Sequence, residues 1–437
     1  MLERKMLSYL REWRTSHKGE CLLINGARQV GKSFIVERFG RSDYVSFVAI
    51  DFVKNPELKA IFDGSLEPRE LYSRMTLLIP GVRLIPGETL IFLDEIQECP
   101  KARSAFKYLA QDGTFDVIGS GSLLGVRFRE QPDVPSLPVG YERQITLRPL
   151  DFEEFLWARG YEPKALDALL EYAQRMEPIP QTIHQAMMRH LRDYLVVGGM
   201  PAVVSTFASQ GDYGAADRAQ AMLHDLYLDD IAKYASASER AKARSCYLSL
   251  PRQLAKENTK FQYATVEPRS SARKFEGSVD WLIGADLALC CRAVSTPQFP
   301  LASYEAGNKF RLYANDTGML MAMHDFSMKA AVVNNTLQGP MKGGLYENLI
   351  ASMLAAQNVP LRYWMSSDGK HEIEFLAEES GFVVPIEVKS PRGATVSLNE
   401  VLGRDDVRRG YKLIDGNVGR DGKKITLPLY MAAFFRR

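Results

Sequence analysis

The sequence predicts an α/β protein: a parallel sheet carrying a phosphate-binding loop, a helical middle, and a small second α/β region at the C-terminus. Three stretches predict it. The apolar run Cys21-Leu22-Leu23-Ile24 enters Gly26-Ala27-Arg28-Gln29-Val30-Gly31-Lys32-Ser33, of the form G-x-x-x-x-G-K-S. Leu90-Ile91-Phe92-Leu93 ends in Asp94-Glu95, a short apolar strand of the kind a sheet covered on both faces requires. From Lys342 onward a helix is followed by three short strands rich in charged residues.

The bulk properties set the frame. At 437 residues the chain exceeds one ordinary core, so two or three domains are expected. Hydrophobic residues at 46% and charged residues at 25% belong to a globular protein and exclude a disordered one. A formal net charge of +2 neither demands nor excludes nucleic acid; any basic surface must be local. No signal-peptide core and no membrane-length apolar run is present, which reads as cytoplasmic with no membrane partner. Five scattered cysteines without a C-x-x-C pair argue against a disulfide framework or a zinc site.

Taken in order, residues 2–14 place Leu2, Met6, Leu10 and Trp13 at helical spacing. In the loop, glycines let successive N–H groups turn toward phosphate oxygens at the positive end of the following helix. Gly26 to Ser33, with Phe34 entering the amphipathic segment Phe34–Phe39, form the expected nucleotide-binding set. Lys32 would reach the β- and γ-phosphates and Ser33 would ligate Mg²⁺, making ATP and Mg²⁺ the expected cofactors. A glycine turn with a surface lysine is the plain alternative, and the flanking strand and helix argue against it. Tyr44–Asp51 reads as a second strand and residues 54–86 as a helical excursion. Acids at the C-terminal end of a parallel strand sit where ligands bind, so Asp94 is expected in the Mg²⁺ shell and Glu95 beside the attacking water. The strand Phe115–Ile118 runs into Gly119-Ser120-Gly121-Ser122, where Ser120 is the candidate for sensing the γ-phosphate or the water. Gln144–Leu147 is a fourth strand, ahead of Arg148-Pro149-Leu150 and the amphipathic segment Asp151–Trp157.

The segments GARQVGKS, LIFLDEIQECP, GSGSLLG and LRPLDFEEFL together resemble bacterial and archaeal AAA-type ATPases that carry a DUF4143 C-terminal region. The resemblance implies a P-loop NTPase sheet with a strand inserted between the two Walker strands and a catalytic glutamate. Gly26, Gly31, Lys32 and Ser33 become Walker A contacts, Asp94 and Glu95 Walker B, and Ser120 the sensor. The family's proline-valine-glycine-arginine run is here Pro138-Val139-Gly140-Tyr141-Glu142-Arg143, with the arginine displaced by two positions, so a surface role for Arg143 is as well supported as one on the γ-phosphate.

Residues 160–240 are helical by period, with a packing turn at Gly198-Gly199-Met200-Pro201. This turn and the residues Asp229, Asp230, Lys233 and Tyr234 match family patterns without indicating chemistry. Helix, turn, helix and a hairpin over 288–312 give the order of a winged helix, with Arg269, Arg273 and Lys274 at the start of its second helix. Interdomain packing is weighed there above DNA contact. In the C-terminal strands, alternation brings Glu374, Glu387 and Lys389 onto one side, with Glu347 arriving from the helix that opens at Gly343. Three carboxylates and a lysine suit metal-dependent phosphodiester cleavage, the acids holding Mg²⁺ and Lys389 positioning the nucleophile. A solvated face of cross-strand ion pairs is the plain alternative. The constellation resembles the PD-(D/E)XK nuclease fold, whose E-x-K element is matched by Glu387-Val388-Lys389, although Glu374 stands where that family has aspartate.

The expected domains are an ATPase domain at 1–158, a helical linker at 159–240, a winged-helix-like domain at 241–335 and a nuclease-like domain at 336–437. The expected function is Mg²⁺-dependent ATP hydrolysis coupled to DNA binding or processing through the C-terminal domain. The alternative is a nucleotide-operated switch acting through protein partners or a second copy of the chain, with an inactive nuclease-like domain.

Overall fold

Five short strands form the first sheet: β1 (Cys21–Asn25), β2 (Ser46–Asp51), β3 (Thr89–Asp94), β4 (Asp116–Ser120) and β5 (Glu142–Thr146). In this computed structural model they run β2-β3-β4-β1-β5, and every neighbouring pair is parallel. The structure describes residues 2–16, 19–122, 138–236, 238–256, 260–390 and 393–435, without the side chains of Tyr234 and Asn308. Leu123, Leu124 and Gly125 of the GSGSLLG segment lie outside the described residues.

The chain divides into two compact units. One comprises Glu3–Arg148 with Gly284–Asp286, and the other holds the remaining described residues. The first unit runs to Arg148, and the segments expected as linker, winged-helix-like and nuclease-like domains lie in the second.

In the first unit β4 lies between β1 and β3, as the resemblance implied. All six residues of β3 are buried, which is why that strand reads as an unbroken apolar run, whereas β2 at the sheet edge is buried only in part. The helices α1 (Lys5–Ser16), α2 (Lys32–Asp43), α3 (Pro68–Leu78) and α4 (Pro100–Asp112) accompany it. Leu23, Ile50, Ile91, Leu93 and Phe106 belong to one buried cluster. The first helix differs from expectation by its phase: Leu7, Leu10 and Trp13 are buried, while Leu2 and Met6 are only partly covered. Leu2 precedes the helix, which begins at Lys5, so it cannot share the stripe that helical geometry creates.

The second unit opens with helices including Phe152–Ala158, Gln181–Val197, Pro201–Gln210 and Tyr213–Tyr234. Two further sheets follow. Strands β6 (Ala288–Val294), β7 (Glu305–Ala314), β8 (Arg362–Met365) and β9 (Glu372–Ile373) form one in the order β7-β6-β8-β9. Strands β10 (Phe375–Glu379), β11 (Phe382–Val388), β12 (Gly410–Ile414), β13 (Gly419–Asp421) and β14 (Lys424–Pro428) form the other, in the order β10-β11-β12-β14-β13.

The expected hairpin exists as the antiparallel pair β6–β7, preceded by the helix Ala272–Gly284. It is not a detached wing, because β6 also pairs in parallel with β8, across the expected boundary at 336. Alternation identifies a strand but not which partners take its two edges. Lys274 pairs with Glu267 at 2.6 Å, which neutralises part of the expected basic helix start.

The packing turn has an identifiable lock. The Asp316 carboxylate accepts from the Gly199 amide at 2.6 Å and from the Met319 amide at 2.9 Å, and the Leu150 amide donates to the Gly199 carbonyl at 2.7 Å. Burial pushes the Asp316 carboxyl up to about 6, against the backbone amides of Gly199, Met319 and Gly318, which favour its charge. Gly198 has φ 73° and ψ −167°, and a Cβ there would collide with the Asp316 carboxylate and the Gly318 backbone. Gly198→Ala is therefore expected to destabilise this unit by about 3 kcal/mol, read as a lowered midpoint in chemical denaturation.

Candidate functional site

The nucleotide loop is shaped before any ligand arrives. Gly26 has φ 146°, and a Cβ there would run into the Leu147 carbonyl of the neighbouring strand's end, so only glycine fits. Gly31 (φ 93°) turns the chain into α2, whose first residues are Lys32 and Ser33. The Lys32 ammonium donates to the Gly26 and Ala27 carbonyls, each at 2.9 Å. Two of its three donors are thus held by the loop itself. Burial lowers the Lys32 ammonium to about 8, opposed by the charges of Glu95 and Asp94. Phe34 follows Ser33 directly, with 52% of its surface exposed.

Parallel pairing then sets the acids. Leu93 stands opposite Gly119, so the ends of β3 and β4 lie side by side. The buried Asp94 accepts from the Ser33 hydroxyl at 2.6 Å, from the Glu95 amide at 3.0 Å, and from the Ser120 hydroxyl. Burial raises the Asp94 carboxyl, while the hydrogen bonds from Ser120 and Ser33 oppose the rise. Ser33 and Asp94 offer hard oxygen donors to the same spot, a set that fits a Mg²⁺ ion. Ser120, expected to sense phosphate or water, donates its hydroxyl to Asp94. Glu95 follows in left-handed backbone geometry, φ 51° and ψ 47°.

Several residues of this site escaped the sequence reading. The guanidinium of Arg4 donates to the Val30 carbonyl at 3.1 Å and the Arg148 carbonyl at 2.7 Å, bracing the loop. Arg148 pairs with Asp286 at 3.0 Å. Asp286 is raised by burial, with Arg148 and the Ala27 amide countering it, and it belongs to the same unit although far away in sequence. No local pattern announces such partners. Arg143 pairs at 2.7 Å with Glu20 and is 43% exposed, which matches the surface reading.

The C-terminal acids form a second cluster. Phe375 pairs with Ile386 across β10 and β11, which sets Glu374 near Glu387. The Lys389 ammonium bridges them, at 2.5 Å from Glu374 and 3.8 Å from Glu387. Glu347 has partners of its own. Its carboxylate accepts from the Tyr313 hydroxyl at 3.2 Å and faces the fully buried Arg311 guanidinium at 3.6 Å, which also pairs with Glu372. Among the described residues no group of three or more His, Cys, Asp or Glu side chains is placed to hold a metal ion. Of the expected ligand set, Glu374 and Glu387 thus share Lys389, while Glu347 faces Arg311.

Burial raises Glu347 to about 7 despite Arg311, and raises Glu387 to about 7, helped by Glu374 and opposed by Lys389. Burial also raises Glu374, against Lys389. Burial pulls the Lys389 ammonium down, but Glu374 and Glu387 outweigh that and raise it. Arg311 went unnoticed because it lies in the hairpin, outside the C-terminal motifs. Its signal was a charged residue sharing a strand face with Tyr313 in an otherwise apolar run. Arg311→Met strands Glu347 and Glu372 without their guanidinium and is expected to destabilise the unit by about 3–5 kcal/mol in chemical denaturation.

Three family models match the sequence: an AAA domain over residues 18–156, a domain of unknown function (DUF8612) over 188–330, and a domain of unknown function (DUF4143) over 342–425. No curated protein sequence matches. Among solved structures, a Walker-type ATPase of Pyrococcus abyssi is 14% identical with a TM-score of 0.43, covering 74% of this chain and 96% of its own. The ORC2 protein of Aeropyrum pernix in its ADP form is 12% identical with a TM-score of 0.29, covering 78% of this chain and 93% of its own. The Pif1 helicase of Candida albicans is 14% identical with a TM-score of 0.23, covering 41% of this chain and 50% of its own. The loop, the acidic strand end and Ser120 all fall inside the first matched segment, and the chain therefore carries an N-terminal AAA domain and a C-terminal DUF4143 domain.

Proposed function

We propose that this protein is a Mg²⁺-dependent ATPase. The observation that carries the reading is the meeting of Lys32, Ser33, Asp94 and Glu95 at the ends of β1 and β3, with the Ser33 hydroxyl and the Glu95 amide both donating to the Asp94 carboxylate. Lys32 and the loop amides bind the triphosphate and neutralise its charge. Ser33 and Asp94 would hold Mg²⁺, which supplies further charge neutralisation at the phosphates. Glu95 accepts a hydrogen bond from water and directs its oxygen in line with the γ-phosphorus. Positioning and charge, not covalent chemistry, do the work in such a site.

We infer further that the DUF4143 domain does not cut nucleic acid, and that ATP turnover operates a conformational switch. Arg311 favours this reading, since its buried charge is committed to Glu347 and Glu372 where a nuclease would place a metal. DNA remains a candidate ligand of the switch, alongside a protein partner or a second copy of the chain.

The test is Mg²⁺-ATP hydrolysis by the purified chain, with and without duplex and single-stranded DNA. Lys32→Ala is expected to lose nucleotide binding and turnover together. Glu95→Gln is expected to keep binding and lose turnover by about 100-fold. Turnover indifferent to DNA, with intact plasmid after incubation, supports the switch. Plasmid cleavage abolished by Glu387→Ala or Lys389→Ala would sink the non-cutting reading.

A further inference from the structure

Glu95 is not left to its own rotamers. The turn Ile96–Glu98 folds Gln97 back beneath it, and the Gln97 side-chain Nε2 donates to Glu95 Oε2. The Ser122 hydroxyl lies at 3.5 Å from the same oxygen. One carboxylate oxygen of Glu95 is therefore engaged by the protein.

The state of Gln97 itself is informative. It is only 6% exposed, and its Oε1 is buried with no hydrogen-bond partner among the described residues. A buried amide oxygen without a partner costs about 1–3 kcal/mol, so a glutamine present for stability alone would satisfy both ends. This one satisfies the end that meets Glu95. The part-buried amide–carboxylate contact lies in the site, at the start of a turn that Glu95 opens in left-handed backbone geometry.

We propose that Gln97 is a positioning residue for ATP hydrolysis, holding the Glu95 carboxylate so that its other oxygen faces the attacking water; this rests on the ATPase reading above. In the step served, water's oxygen forms a bond to the γ-phosphorus while the bond from that phosphorus to the bridging oxygen breaks, its electron pair leaving on ADP. The water proton passes toward Glu95 and then to phosphate. Gln97 exchanges no proton and touches no substrate. Its contribution is to remove Glu95 orientations that cannot meet the water, an effect confined to the chemical step.

The experiment compares Gln97→Ala and the isosteric Gln97→Glu, which lacks the donor, with the unsubstituted chain. Steady-state Mg²⁺-ATP hydrolysis, affinity for a fluorescent ATP analogue and thermal midpoint are measured for each. The expected result is a fall in kcat of about 10- to 100-fold in both variants, with KM, affinity and midpoint close to the unsubstituted values. In a Glu95→Gln background, Gln97→Ala is expected to lower turnover no further, because the two residues act as one unit. An unchanged or increased kcat in both variants overturns the inference and leaves the ATPase reading standing. So does a loss of affinity or midpoint that accounts for the loss of rate. Absence of turnover in the unsubstituted chain, with the analogue bound, overturns the hydrolysis reading and this inference with it.

Discussion

The first unit depends on one buried carboxylate. Asp94 ends β3 and takes hydrogen bonds from the helix that follows the phosphate loop, from the adjoining strand and from the next backbone amide. Three elements separated in sequence are registered by it. An aspartate in that position is expensive to bury, as its raised carboxyl indicates, and only the full set of donors makes the burial tolerable. The same oxygens that align the apo site are those a Mg²⁺ ion would share with Ser33. Structural alignment and ligand binding thus use one set of atoms.

The second cluster of acids illustrates the opposite outcome. Four glutamates, at 347, 372, 374 and 387, gather around Arg311 and Lys389. The protein answers their repulsion with its own cations and, at Glu347 and Glu387, with carboxyls raised to about 7 by burial. Guanidinium, ammonium and phenol all meet these acids, so their charges are paired within the protein.

Gly198, Gly199 and Asp316 show how a sequence signature without chemistry can still be constrained. The Gly-Gly turn exists because an aspartate more than a hundred residues later needs both the space and the amide. Its neighbours follow from that contact: the Leu150 amide meets the same turn, and the Met319 amide caps on the same carboxylate.

The sequence by itself determined the local chemistry. A loop of the form G-x-x-x-x-G-K-S, an apolar strand closed by Asp94-Glu95, and the alternation that unites Glu374, Glu387 and Lys389 are all short-range patterns, written by helical and strand periodicity and by glycine's backbone freedom. That a strand lies between the two Walker strands was legible through the resemblance. What only the tertiary structure decided were contacts between residues remote in the chain. Alternation could not say that β6 takes β8 as well as β7, that Arg311 neutralises Glu347, that Asp286 meets Arg148, or that Arg4 braces the loop. Periodicity names the face a side chain occupies; the charge or carbonyl waiting on the other side depends on how distant segments are brought together, and that decides whether an acid binds metal or pairs with an arginine.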